Sequence, residues 1–188
     1  MLSADRKQIW SIPNIISMVR LVLIPLIVTL YFKKKVAAAL VVFAISALSD
    51  IVDGQIARRF HMVTDLGKML DPLADKLTQA AALVCVAFTH PQLFYLLGLM
   101  AAKELAQAAI GAHSIQKTGR VHSAMWYGKA CTVITTASLM ALFAFPNMDE
   151  AYVNGILILC AVSMGLALLL YARRYKQLNQ LARQEQGQ

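Results

Sequence analysis

Six apolar stretches, each near the roughly 20 residues a helix needs to cross a bilayer, occupy most of this 188-residue chain. They run over about 12–32, 36–57, 68–89, 92–112, 124–145 and 151–172. A backbone surrounded by lipid must satisfy its own hydrogen bonds, and runs of this length do so as helices. The chain is 59% hydrophobic and only 15% charged, whereas soluble domains are about one-quarter charged. Removing the apolar runs leaves no soluble domain of useful size. The expected fold is therefore all-α: one polytopic integral membrane domain over residues 1–188, with six transmembrane helices. Met1 to Trp10 predicts a short interfacial helix with Trp10 at headgroup depth. No small-residue cleavage site follows the first apolar run, so that span is expected to be retained.

The net charge of +8 is distributed beside the spans, at Arg6 and Lys7, residues 33–35, Arg58 and Arg59, and residues 173–176. That placement suits anionic lipid headgroups and excludes a nucleic-acid surface. Arg58, Arg59, His61 and Lys68 mark the second connection, Lys117 and Arg120 the fourth, and Arg173, Arg174, Lys176 and Arg183 the tail. The third connection is nearly uncharged and the fifth carries Asp149 and Glu150. By the positive-inside rule, both termini and the even-numbered connections face the cytoplasm. The lysines at 33–35 fall on the other side, where they would snorkel to headgroups. Cys85, Cys131 and Cys160 are scattered singly and read as small core residues. His61, His90, His113 and His122 show no ligand spacing and read as interfacial polar residues. Tyr31, Trp126 and Tyr171 read as anchors in the aromatic belt.

Against this background four carboxylates stand out. Asp50, Asp53, Asp71 and Asp75 are four of the ten acidic residues in the chain, and they fall inside the apolar second and third spans. A carboxylate at that depth persists only where a cation, water or a partner compensates it. They occur in the frame Asp50-x2-Asp53-Gly54-x2-Ala57-Arg58-x8-Gly67-x3-Asp71-x3-Asp75. Asp50 and Asp53 share one helix face, which Ala57 continues, and Asp71 and Asp75 share another. Gly67 allows a turn or close packing between the two helices. Pro72 is expected in the first turn of a span starting near Leu70, where its missing N–H matters little. Two antiparallel helices would then aim four carboxylates into one cavity near the cytoplasmic surface, a donor set suited to two divalent ions and a phosphoryl group. Gly54 and Ala57 leave room for a flat ligand, and Arg58 carries a planar fork for phosphate. A divalent-cation transporter would instead spread its acids through the membrane depth and have little use for Gly54, Ala57 or Arg58.

The frame resembles the signature of the CDP-alcohol phosphotransferases, membrane enzymes that join a CDP-linked donor to an alcohol, and all eight of its positions are present. The resemblance implies six helices around a site for two Mg2+ or Mn2+ ions. It implies metal ligation by Asp50, Asp53 and Asp71, with Asp75 as general base that also touches metal. CDP would lie against Asp50, Gly54, Ala57, Arg58 and Gly67, with Asn14 of the first span. It also implies homodimers and a bacterial cytoplasmic membrane location with the site facing the cytoplasm. The opening Ile12-Pro13-Asn14-Ile15-Ile16-Ser17, with Arg20, Pro25 and the stretch from Leu70 to Lys76, is similar to bacterial phosphatidylglycerophosphate synthases. In these the donor is CDP-diacylglycerol and the acceptor sn-glycerol 3-phosphate. Acceptor contacts are expected from Lys103 and Lys129, with Lys117 and Arg120 either joining them or facing water. For Lys103 two readings stand, an acceptor phosphate or its neighbour Glu104. Those synthases carry Arg-Glu where this chain has Lys103-Glu104, and a longer lysine-bearing pattern than Ala130-Cys131-Thr132. Cardiolipin synthase of the same type, with phosphatidylglycerol as acceptor, is the nearest rival.

Overall fold

The structure, a computed structural model, describes the backbone of residues 12–59, 65–118 and 126–186 and the side chains of residues 14–49, 70–110 and 126–175. Among these residues the regular structure is entirely helical: α1 (Ile12–Phe32), α2 (Val36–Arg59), α3 (Asp65–Ala87), α4 (Leu93–Thr118), α5 (Trp126–Ala144) and α6 (Glu150–Gln186). Even the shortest, α5 with 19 residues, reaches about 28 Å at 1.5 Å per residue, close to the thickness of the hydrocarbon layer. Four stretches of the described residues are both long and apolar enough to cross: Asn14–Phe32, Leu93–Ile110, Trp126–Ala144 and Glu150–Tyr175. The apolar stretch Val36–Ser49 forms the first part of α2. Large apolar side chains such as Val22, Leu105 and Val133 lie exposed, the lipid-facing surface expected of a polytopic membrane protein.

Several boundaries move. α3 starts at Asp65, ahead of the span expected from residue 68. Pro72 therefore lies inside the helix and not in its first turn, where it removes one helical donor. α4 continues to Thr118 and α6 to Gln186, well past 112 and 172. Hydropathy marks only the part of a helix that lipid covers, whereas polar helix formers carry it onward. The expected interfacial helix at Met1 to Trp10, and the connections at 60–64 and 119–125, lie outside the described residues.

The chain divides into two compact units. One holds Met1–Pro91 with Leu139–Met148, and the other Gln92–Ser138 with Asp149–Gln188. In the first, α1 packs along both α2 and α3. Its buried stripe is Asn14, Ser17, Arg20, Ile27 and Tyr31, which follows helical spacing but changes from polar to apolar halfway. At the apolar end Tyr31 packs on Phe143 at 5.0 Å between ring centroids, Phe43 meets Phe143 at 5.6 Å, and Phe32 meets Phe88 at 5.4 Å. The Tyr31 hydroxyl shares a 2.9 Å hydrogen bond with Thr89 Oγ1. Tyr31 is therefore a buried packing residue, not the belt anchor expected from its place near a span end. His90, also buried, makes a 3.1 Å hydrogen bond with the Pro146 carbonyl. α1 ends with Lys34 at φ 59°. The Lys35 N–H donates to the Leu30 carbonyl and the Lys34 N–H to that of Tyr31, both at 2.9 Å. This is a Schellman cap with lysine where glycine is usual.

In the second unit α4 packs against α6. The buried stripe of α4 is Leu93, Leu96, Met100 and Lys103, and that of α6 is Val153, Cys160, Met164 and Ala167. Tyr127 and Tyr171 stack edge to face at 4.7 Å. The Tyr171 hydroxyl comes within 2.6 Å of where a Cβ on Gly128 would sit, so glycine is the residue that allows this approach. Tyr171 is half-buried against Tyr127, while Trp126 is exposed as a belt residue would be. All three cysteines are buried and free, as their isolated positions predict.

Candidate active site

α3 presents the described half of the acidic frame. Asp71 and Asp75 stand one helical turn apart, beside the wholly buried Ala74 and the buried Thr78 and Gln79. Thr78 turns its hydroxyl back onto the Ala74 carbonyl at 2.8 Å, so it satisfies itself within the helix. Both carboxylates are half-buried, and their surroundings differ. Asp75 accepts a 3.1 Å hydrogen bond from Gln79 Nε2 through Oδ1, and Lys76 Nζ lies 3.6 Å from Oδ2. Asp71 accepts through Oδ1 from the hydroxyl of Ser17, across the interface with α1.

α1 thus contributes more than a wall. Asn14, Ser17 and Arg20 are buried to 0%, 0% and 2% exposure, a polar stripe at three-residue spacing in an otherwise apolar span. Of these only Asn14 is expected at the site from sequence. The spacing is the signal that could have identified Ser17 and Arg20, since three buried polar groups on one face of a membrane helix need partners. On α2, Ser46 is wholly buried and its hydroxyl has no hydrogen-bond partner among the described residues. Asp50 and Asp53 follow it by four and seven positions, in the register of the buried residues Ala39, Phe43 and Ser46.

The side chains of Asp50, Asp53, Gly54, Ala57 and Arg58 on α2, and of Gly67 on α3, lie outside the described residues, as does that of Lys117 at the end of α4. Arg120 lies outside them altogether. Lys103 on α4 is buried at 5% exposure and pairs with Glu104 at 2.7 Å, so the ion-pair reading of that lysine is realised. Lys129 is exposed near the start of α5.

Among the described residues no three His, Cys, Asp or Glu side chains converge as a metal-binding group. Two carboxylates a turn apart on α3 nevertheless supply hard oxygen donors, the type Mg2+ and Mn2+ prefer. The hydroxyl on Asp71 brings no countercharge, so among the described residues that carboxylate is not neutralised by an ion pair. The donor set therefore fits a divalent metal.

Residues 10–168 match the family described as CDP-alcohol phosphatidyltransferase. A protein of Pectobacterium atrosepticum named CDP-diacylglycerol–glycerol-3-phosphate 3-phosphatidyltransferase is 36% identical over 153 residues, covering 78% of this chain and 82% of its own. A protein of the same name from Shigella flexneri is 30% identical over 163 residues, covering 84% and 90%. A Schizosaccharomyces pombe fusion of cardiolipin synthase (CMP-forming) with a mitochondrial hydrolase is 39% identical over 82 residues, covering 44% of this chain and 14% of its own.

Proposed function

We propose a specific reaction for a chain that belongs to the CDP-alcohol phosphatidyltransferase family: transfer of the phosphatidyl group of CDP-diacylglycerol to sn-glycerol 3-phosphate, giving phosphatidylglycerol phosphate and CMP. Membership makes the chain a transferase of phospholipid synthesis and sets aside a cation carrier. The observation that carries the donor half is the pair Asp71 and Asp75 on α3, within an acidic frame complete in sequence. The acceptor half rests on the names of the two relatives aligned over more than three-quarters of this chain.

Asp50, Asp53, Asp71 and Asp75 would hold two Mg2+ or Mn2+ ions, which when bound neutralise the diphosphate and polarise its phosphorus. Gly54 and Ala57 give the cytidine room, Arg58 meets a phosphate, and Gly67, Asp50 and Asn14 border the same ligand. Asp75 accepts the proton of the acceptor hydroxyl. The acceptor oxygen bonds to the β-phosphorus, the bond from that phosphorus to the CMP oxygen breaks, and CMP leaves with the electron pair. Gln79 holds the Asp75 carboxylate in one rotamer for this step. Lys103 is the cation assigned to the acceptor phosphate, with Glu104 neutralising it when no acceptor is bound. Lys117, Arg120 and Lys129 add positive charge for the same anion. The enzyme works in the bacterial cytoplasmic membrane with its site toward the cytoplasm, as a homodimer among lipids.

The test is CMP release from labelled CDP-diacylglycerol by the detergent-purified protein with Mg2+ and separate acceptors. Glycerol 3-phosphate is expected to support release and to become phosphatidylglycerol phosphate. Release with phosphatidylglycerol alone would make the enzyme a cardiolipin synthase.

A further inference from the structure

Asp71 and Asp75 are one turn apart, yet the residues that hold them are of different kinds. Asp75 has an amide from Gln79 and an ammonium from Lys76. Asp71 receives the Ser17 hydroxyl, and among the described residues no other donor reaches it. A carboxylate on a two-torsion side chain samples several rotamers. A hydrogen bond to one oxygen fixes its plane and turns the other oxygen to a defined direction. A hydroxyl does so without charge, whereas a lysine would offset the attraction for a cation. Ser17 is wholly buried and stands on a different helix, so its donor position is set by the packing of α1 on α3.

We propose that Ser17 is a positioning residue for Asp71, holding that carboxylate in the orientation in which its second oxygen ligates a divalent metal. The inference rests on the reading of Asp71 as a metal ligand. Hydrogen bonds of this kind behind a metal ligand are worth about 10- to 100-fold in metal affinity when removed. The role differs from a helix-to-helix contact that only stabilises the fold. A purely structural contact would shift melting of the metal-free protein and leave the metal affinity of the folded fraction alone.

The experiment is a Mn2+ titration of the full-length protein in detergent, read by loss of the free-ion electron paramagnetic resonance signal, with no substrate present. Ser17→Ala is expected to weaken Mn2+ binding at least about tenfold, and Ser17→Thr, which keeps the hydroxyl, to restore it. Ser17→Cys is nearly the same size with a weak donor and carries the same expectation as alanine, so the question stays answerable should the alanine variant not fold. Asp71→Asn is titrated in parallel. Unchanged Mn2+ affinity in Ser17→Ala or Ser17→Cys, with affinity lost in Asp71→Asn, overturns the role of Ser17 and leaves Asp71 as a ligand. Wild-type affinity in Asp71→Asn overturns the metal reading beneath it.

Discussion

The two ends of α1 pack against the same helix bundle with opposite chemistry. Toward the end of α1 that bears Tyr31, the buried surface is a cluster of rings in which Tyr31 and Phe43 each pack on Phe143. Toward its start the surface is Asn14, Ser17 and Arg20, facing a helix that carries Asp71 and Asp75. Rings associate here by shape and dispersion, because lipid is already apolar and gives little hydrophobic drive between helices. Buried polar groups associate because each needs a partner and none is available from lipid. Stability and chemistry are thus separated along the helix axis of this unit. One end can be tight and unreactive while the other tolerates charge that a ligand completes.

Five substitutions test that contrast. The largest effect is expected from Asp75→Asn, which keeps the shape and the Gln79 neighbour but removes the base. CMP release should fall on the order of 10²- to 10⁴-fold, while the melting temperature holds or rises. A fall in melting with activity per folded molecule retained would make Asp75 a structural residue. At the opposite end Phe143→Ala opens a cavity between Tyr31 and Phe43 and should lower stability by about 3 kcal/mol, measured by denaturant titration in detergent. Specific activity of the folded fraction should be unchanged. Lost activity without lost stability would show that the two ends are not separable.

The second unit offers a smaller version of the same test. Gly128→Ala places a methyl group 2.6 Å from the Tyr171 hydroxyl and should cost about 1–3 kcal/mol as overpacking. Tyr171→Phe removes that oxygen, so the double variant should recover most of the loss. A double variant no better than the single would assign the cost to the helix backbone. The smallest effect is a gain. Lys34→Gly relieves a left-handed residue worth roughly 1–2 kcal/mol, less the entropy glycine loses on folding. A net stabilisation of about 0.5–1 kcal/mol should show as a raised melting temperature, with activity unaltered.

Sequence carries the helical architecture and the acidic frame because both are local. Apolar runs measure themselves against bilayer thickness, and Asp71 and Asp75 declare a shared face by spacing alone. Lys103 was legible as a buried cation for the same reason, although its pairing with Glu104 could be stated only as one of two readings. The contact of Ser17 with Asp71 spans 54 residues, and it depends on how far α1 slides along α3, which no periodicity reports. Tyr31 departs from expectation because a tyrosine near a span end looks alike whether it faces headgroups or another ring. Pro72 misled by suggesting a helix start, when α3 begins seven residues earlier at Asp65. The cap at Lys34 carries no glycine to announce it.

Metal dependence is decided by CMP release from CDP-diacylglycerol in the presence of glycerol 3-phosphate, before and after metal removal. The acidic frame predicts that a chelator abolishes release and that added Mg2+ or Mn2+ restores it, because carboxylates alone repel a diphosphate. Release that continues at the starting rate in metal-free buffer would rule out a metal role for the four aspartates.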